Sequence, residues 1–225
     1  MKGTVFLGFV GLSERVKLSE NAFRDVNIAL ANELSMIAAR HGIDVWRMIE
    51  LANRHPRVEI LRPGPGVGGH CIAVDPWFLA QGAPEVARLI PAARAVDATK
   101  RAAVLEQASA LCATGERVIC LGLAFKGDVG DLRESPALEI ASELARRHPG
   151  RVVAVEPYLD APPEGLDAPL LTLDAALETE GVLLVLTDHS AFARLSTAAL
   201  AGRRIIDTRG LLRRQEEMFP CPTVT

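Results

Sequence analysis

No stretch of the 225 residues is both long and apolar enough to span a bilayer. The apolar opening run, Thr4–Leu12, falls well short of the ~20 residues that a spanning helix needs. No small-residue cleavage site stands behind a longer apolar region, so neither a membrane anchor nor a secretory leader is expected. Cysteine is scarce: Cys71, Cys112, Cys120 and Cys221 form no Cys-x-x-Cys pair and no zinc spacing. That pattern points to reduced thiols in a cytoplasmic protein. A strong excess of charge is lacking too, with a net charge of −3 and a pI of about 6.0. Such a balance does not favour nucleic acid as a partner. Repeats and low-complexity tracts are absent, and Ala161-Pro162-Pro163-Glu164 reads as a loop. The chain does have apolar residues, at 49%, enough for the core of one large or two small domains.

Pro63-Gly64-Pro65-Gly66-Val67-Gly68-Gly69-His70-Cys71-Ile72-Ala73-Val74-Asp75-Pro76-Trp77 organises the rest. Glycines in this density permit positive φ and let a ligand approach the backbone. A thiol at the end of such a loop is reachable by substrate and can serve as a nucleophile. The competing reading is a tight turn beside an inert, buried cysteine.

Thr4–Leu12 reads as a buried strand running into a glycine turn. A dinucleotide fingerprint would need glycines at 6, 8 and 11, but position 6 is Phe6 and no βαβ unit follows. No cofactor turn is expected there. From about Val16 to Arg40 apolar residues recur every three to four positions, which predicts a helix closed by Gly42. Lys17, Asn21 and Arg24 share one of its faces and could grip an oxyanion, or could simply be solvated. Asp44 caps a second helix through about Ala52. A further helix is expected to begin after Asp75, with Pro76 in its first turn. A long helical run is expected from Pro84 to Ala113, kinked or restarted at Pro91. Its apolar residues on several faces suggest a dimer surface.

At Gly115 the character changes. Apolar runs at 117–123, 152–155, 182–186 and 204–207 alternate with helical segments. They predict a parallel sheet covered on both faces, with ligands at the carboxyl ends of the strands. The loop from Phe125 to Pro136 carries Lys126, Arg133 and a helix start, a combination suited to phosphate or to a plain capped turn.

Three separated motifs carry a resemblance. Lys17-Leu18-Ser19-Glu20-Asn21, Gly68-Gly69-His70-Cys71 with Asp75, and Phe125-Lys126 with Arg133-Glu134-Ser135-Pro136 resemble the UDP-sugar dehydrogenase family in order and spacing. The wording at 23–27, 53–57 and 69–76 is most similar to members that oxidise UDP-N-acetyl-D-mannosamine. The resemblance covers about residues 16 to 213. It implies an α/β protein: an all-helical central dimerisation domain at 16–114, then a parallel-sheet, Rossmann-like UDP-binding domain at 115–225. Residues 1–15 are expected to be a remnant of the family's N-terminal Rossmann domain, the rest of which, with its NAD site, is missing.

The resemblance further implies a C6 alcohol oxidised in two NAD-dependent steps to a carboxylate, through a thiohemiacetal and a thioester. Cys71 matches the nucleophile, Lys17 and Asn21 the oxyanion pair, and Asp75 the carboxylate that helps activate water. Gly68, His70 and Lys126 match substrate-binding positions. Arg57 matches an arginine that reaches the neighbouring subunit's substrate, and Arg133 one near the cofactor NAD. Expected partners are a UDP-sugar and a second copy, joined through the central helices, with neither nucleic acid nor membrane. With the NAD domain missing, the truncated chain is expected to be inactive alone. The alternatives are a non-catalytic UDP-sugar-binding or dimerisation remnant, or one half of a split enzyme.

Overall fold

The computed structural model describes residues 12–212. The strand expected at Thr4–Leu12 lies outside the described residues up to Leu12, which already belongs to helix α1, Leu12–Arg40. Cys221 lies outside them too. Gly42 ends α1 with φ +65°, and Ile43 N–H reaches back to the Ala38 carbonyl at 2.9 Å. This is the six-to-one bond that a left-handed glycine makes possible at a helix end. Asp44 then accepts from Trp46 N–H at 3.0 Å and caps α2, Val45–Ala52.

Helix α3 spans His70–Gly82 and holds Pro76 in its interior. The expected start after Asp75 is therefore wrong. Gly69, at φ +83°, turns the chain directly into the helix, so that Cys71 lies in the first turn. Helix α4 spans Leu89–Ala113, not Pro84–Ala113. Ala87 N–H closes a turn on the Ala83 carbonyl at 3.0 Å instead. Pro91 falls in the first turn of α4, where a missing N–H costs nothing, so it starts the helix and does not kink it.

The helical lobe is α1 packed on α3 and α4. The apolar residues of α4 are mostly covered within the chain. Val104, Leu105, Ala108 and Cys112 enter a core shared with the α/β lobe. Exposed large apolar residues remain on several elements, among them Leu89 on α4 and Trp77 and Phe78 on α3. Those on α1, Val16, Phe23, Leu30 and Ile37, stand at every seventh position and so along one face.

The second lobe follows the expected alternation. It runs β1 (Val118–Leu121), α5 (Pro136–Arg147), β2 (Val152–Val155), α6 (Leu173–Glu178), β3 (Val182–Val185), α7 (Ser190–Ala193), α8 (Thr197–Leu200) and β4 (Ile205–Asp207). The strands are all parallel, in the order β2-β1-β3-β4. Side chains alternate between faces along each strand. Val118 and Cys120 pack under α4 and α5, while Ile119 and Leu121 face Ala176 and Phe192. The chain leaves β1 in one direction to β2 and the sheet continues on the other side to β3. The crevice between the carboxyl ends of β1 and β3 is where such sheets place ligands.

Candidate active site

Asn21 and Asp75 meet. Asn21 is buried on α1, and its Nδ2–H donates to Asp75 Oδ2 on α3 at 2.6 Å. Cys71, one turn before Asp75 on the same helix, is exposed and free. It is therefore not the inert core cysteine of the competing reading. No side chain caps α3, so its first N–H groups remain available to solvent or ligand. Cys112 and Cys120 are buried, and burial raises both thiols, that of Cys120 to about 12. Only Cys71 among the described cysteines is placed to react.

The glycine loop is held by the α/β lobe. Gly69 N–H donates to the Arg133 carbonyl at 2.9 Å. A side chain at Gly68 would put its Cβ 2.4 Å from the Glu134 carbonyl oxygen, and one at Gly69 would meet the Phe125 ring at 2.8 Å. The loop after β1 thus lies against the loop that presents the thiol. Arg133 clamps Asp131 through Nε at 3.0 Å. The hydrogen bonds that Arg133 donates to Asp131, and the charge of that carboxylate, hold the guanidinium above its usual range. Arg133 is thus joined by its backbone to Gly69, two residues before the thiol.

Other expected site residues stand apart from this contact. Lys17 is turned to solvent and pairs with Glu20 at 3.1 Å, not with Asn21 or Asp75. His70 is exposed at the first position of α3. Lys126 is exposed and lies 5.7 Å from the centroid of the Phe125 ring. Arg57 is exposed on the loop after α2. Asn53 staples that loop, accepting from Ile60 N–H at 2.8 Å and donating to its carbonyl at 3.0 Å.

The α5 N-terminus, a candidate phosphate site, is already capped. Ser135 accepts from Leu138 N–H at 3.4 Å and donates to the Leu123 carbonyl at 2.6 Å. The adjoining cleft, between Gly66, Phe125, Pro136, Asp188 and Arg209, has a volume of only about 10 Å³. That is room for about one water molecule.

Sequence reasoning missed a buried polar cluster at the carboxyl end of the sheet. Glu156 follows β2, and its Oε2 accepts from Leu123 and Ala124 N–H at 2.8 and 3.0 Å and from His189 Nε2 at 3.0 Å. His189 Nδ1 in turn accepts from Asp128 N–H at 2.9 Å. Burial alone would raise the Glu156 carboxyl, but His189 and the two backbone donors outweigh it and hold it below the usual range. The missed signal is that Glu156 directly follows the apolar run of β2 and His189 comes four residues after that of β3, both at the ligand end of the sheet.

Two family models match the chain. One describes the central domain of the UDP-glucose/GDP-mannose dehydrogenase family, over residues 12–99, and the other describes that family's UDP binding domain, over residues 119–214. The chain belongs to the UDP-glucose/GDP-mannose dehydrogenase family. The two matches fall on the helical lobe and the α/β lobe in turn.

Similar members of the family include the UDP-N-acetyl-D-mannosamine dehydrogenase of Salmonella typhi, 51% identical in an alignment of 213 residues that covers 89% of this chain and 51% of that protein. The NDP-N-acetyl-D-galactosaminuronic acid dehydrogenase of Ralstonia nicotianae is 50% identical over 88% of this chain and 48% of its own length. Among solved structures, the UDP-N-acetyl-mannosamine dehydrogenase of S. aureus superposes with a TM-score of 0.75 at 41% identity, over 88% of this chain and 48% of that one. The chain thus spans about half the length of the dehydrogenases it matches.

NAD, the cofactor implied by the family resemblance, does not fit the β1 turn of the α/β lobe. In a dinucleotide-binding unit the N–H groups there face a pyrophosphate. Here the Glu156 carboxylate already takes the N–H groups of Leu123 and Ala124.

Proposed function

We propose that this chain carries the sugar-binding and thiol half of a UDP-sugar 6-dehydrogenase acting on UDP-N-acetyl-D-mannosamine or a close relative. The contact between Asn21 and Asp75 beside the exposed Cys71 carries the reading. Cys71 is the nucleophile. Its sulfur adds to a C6 aldehyde, one S–C bond forming as the carbonyl π pair moves onto oxygen. Asn21 has a second amide N–H for that oxyanion, and Lys17 can swing from Glu20 to assist. Asp75 keeps one oxygen for a water that would attack the later thioester. Gly68 and His70 border the sugar, and Lys126 meets the diphosphate. Arg57, on its stapled loop, serves the site of a neighbouring copy, and Arg133 stands on the cofactor side of the thiol.

No hydride transfer is derived from these residues, because the β1 turn is filled by Glu156. Turnover therefore needs a nicotinamide-binding partner domain, and the second reading is a UDP-sugar-binding or dimerisation module. The β1 turn filled by the Glu156 carboxylate favours that reading for the chain by itself. We assign the chain to the cytoplasm, where its thiols stay reduced and nucleotide sugars for polysaccharide synthesis are made.

The test is a calorimetric titration with UDP-N-acetyl-D-mannosamine, with Lys126→Ala as control, alongside NADH formation by the pure chain. Weak binding lost in the control, with no NADH, is the expected result. Steady NADH formation abolished by Cys71→Ala would overturn the half-enzyme reading. Absence of any UDP-sugar binding would overturn the half-enzyme reading and the UDP-sugar-binding module alike, and leave only the dimerisation module.

A further inference from the structure

The two ends of the loop that carries Cys71 are tied to buried polar side chains of the helical lobe. Asn32, on α1, is fully buried. Its Nδ2–H donates to Asp97 Oδ1 on α4 at 2.8 Å, and its Oδ1 accepts from Gly64 N–H at 2.8 Å. The next turn of α1 extends the cluster. Ser35 donates to the Asn32 carbonyl at 2.6 Å and accepts from Lys100 Nζ at 2.8 Å. Gly64 has no freedom on its other side, where a Cβ would lie 2.3 Å from Arg209 Nη1. Arg209 is itself fixed by Asp188 at 3.0 Å. The start of the loop thus has one place in the molecule, between α1 and the α/β lobe.

The far end is tied differently. Pro76 has no N–H to give to the carbonyl of Ile72, four residues earlier in α3. Arg94 Nη1 faces that freed oxygen at 3.5 Å while bonding Asp25 Oδ1 on α1 at 2.7 Å. Ile72 is the residue after Cys71. The proline creates an open acceptor in the thiol's own turn, and a guanidinium from α4 approaches it.

This arrangement is costly. Asp25 and Asp97 are both fully buried, and the Oδ2 of each has no partner. Burial raises both carboxyls, that of Asp25 to about 6. Buried ion pairs of this kind seldom stabilise a fold more than apolar packing would. Direction is what they supply here, because one bond from each group reaches the backbone of this stretch, at Gly64 N–H and at the Ile72 carbonyl.

We propose that Asn32 and Arg94 are positioning residues, which pin the two ends of the 64–72 loop to the α1–α4 pair and so fix the Cys71 thiol relative to Asn21 and Asp75. The inference rests on the thiol reading above. Its test uses neither UDP-sugar nor NAD, so the two can fail separately.

The experiment is hydrogen exchange by mass spectrometry on the pure chain, with the rate of Cys71 alkylation by iodoacetamide read from its own peptide. Asn32→Ala should speed exchange across 64–72 by about tenfold, the scale of one lost buried hydrogen bond, with the strands unchanged. Alkylation of Cys71 should change with it. Asn32→Asp combined with Asp97→Asn rebuilds both bonds with the amide and carboxylate exchanged, and should restore both readouts. Arg94→Met should open the 70–74 end selectively. Unchanged loop exchange and alkylation in a folded Asn32→Ala chain overturn the proposal. So does a uniform change at every amide, which is a global stability effect alone. Should Asn32→Ala fail to fold, the exchanged pair decides: a folded chain with wild-type loop exchange supports the proposal, and one with an open loop overturns it.

Discussion

Asn21 donates to Asp75 at 2.6 Å across 54 positions of sequence, joining α1 to α3 one turn beyond Cys71. Asn21→Ala leaves the Asp75 oxygen without its donor at a largely buried site. A loss of about 1–2 kcal/mol is expected, a fall of a few degrees in melting temperature for a chain of this size. Asp75→Asn keeps an acceptor for the amide and should lose less. Identical melting of Asn21→Ala and the wild type would mean that the contact is not made in solution.

Gly68 and Gly82 form a matched pair of substitutions. A Cβ at Gly68 would meet the Glu134 carbonyl at 2.4 Å, a backbone atom that has no rotamer to yield, whereas nothing lies within 4 Å at Gly82. Gly68→Ala should destabilise by more than about 1 kcal/mol through overpacking, and it should weaken UDP-sugar binding. Gly82→Ala should be neutral or slightly stabilising, since alanine is the better helix former. Urea denaturation of the two variants separates these outcomes.

Glu156 controls the acid limb of stability. Its carboxyl is held below the ordinary 4.5 in the folded chain, so its contribution is present above that pH and disappears as acid protonates it in the fold. Glu156→Gln puts an amide where donors already converge and should cost roughly 2–4 kcal/mol at pH 7. The gap between the two proteins should narrow on going to pH 3. A constant gap across that range would contradict the assignment.

Asp25 acts with the opposite sign. Burial raises it from 3.8 to about 6, Arg94 opposes the shift and Asp97 adds to it. The folded chain then binds a proton that the unfolded chain does not, so this group adds stability as the pH falls from about 6 towards 3.8. Asp25→Asn should remove that slope between pH 7 and pH 5, where Glu156 does not titrate. Equal slopes for variant and wild type, by chemical denaturation at several pH values, would refute it.

Phe23 and Leu30 are 65% and 45% exposed on the outer apolar stripe of α1, apart from its buried alanine face. A stripe of that kind is covered when two copies associate. We expect sedimentation velocity to give a dimer for the wild type and a monomer of unchanged circular dichroism for Phe23→Glu combined with Leu30→Glu. A wild-type monomer at micromolar concentration would count against the dimer, whichever helix were invoked.

Local physics was legible in the sequence where neighbouring residues decide the outcome. Val118–Leu121, Val152–Val155 and Val182–Val185 are short apolar β-branched runs between helical segments, so a parallel sheet buried on both faces could be read directly. Gly42 and Asp44 marked a helix stop and start because capping is settled within a few residues. The spacing of Gly68, Cys71 and Asp75 exposed the thiol loop, but it did not show that α3 begins at His70. There Pro76 would ordinarily stand at a helix start, and contacts with α1 and α4 keep it in the interior. Asp25, Asn32 and Ser35 fall in register with Ala22, Ala29 and Ala38 on the buried face of α1, a hint of polar business in the core. Their partners were beyond reach, since Asp97 lies 65 positions from Asn32, and His189 lies 33 from Glu156. Periodicity says which side of an element is buried; which buried polar groups pair across elements is decided only when packing leaves each donor with one acceptor within reach.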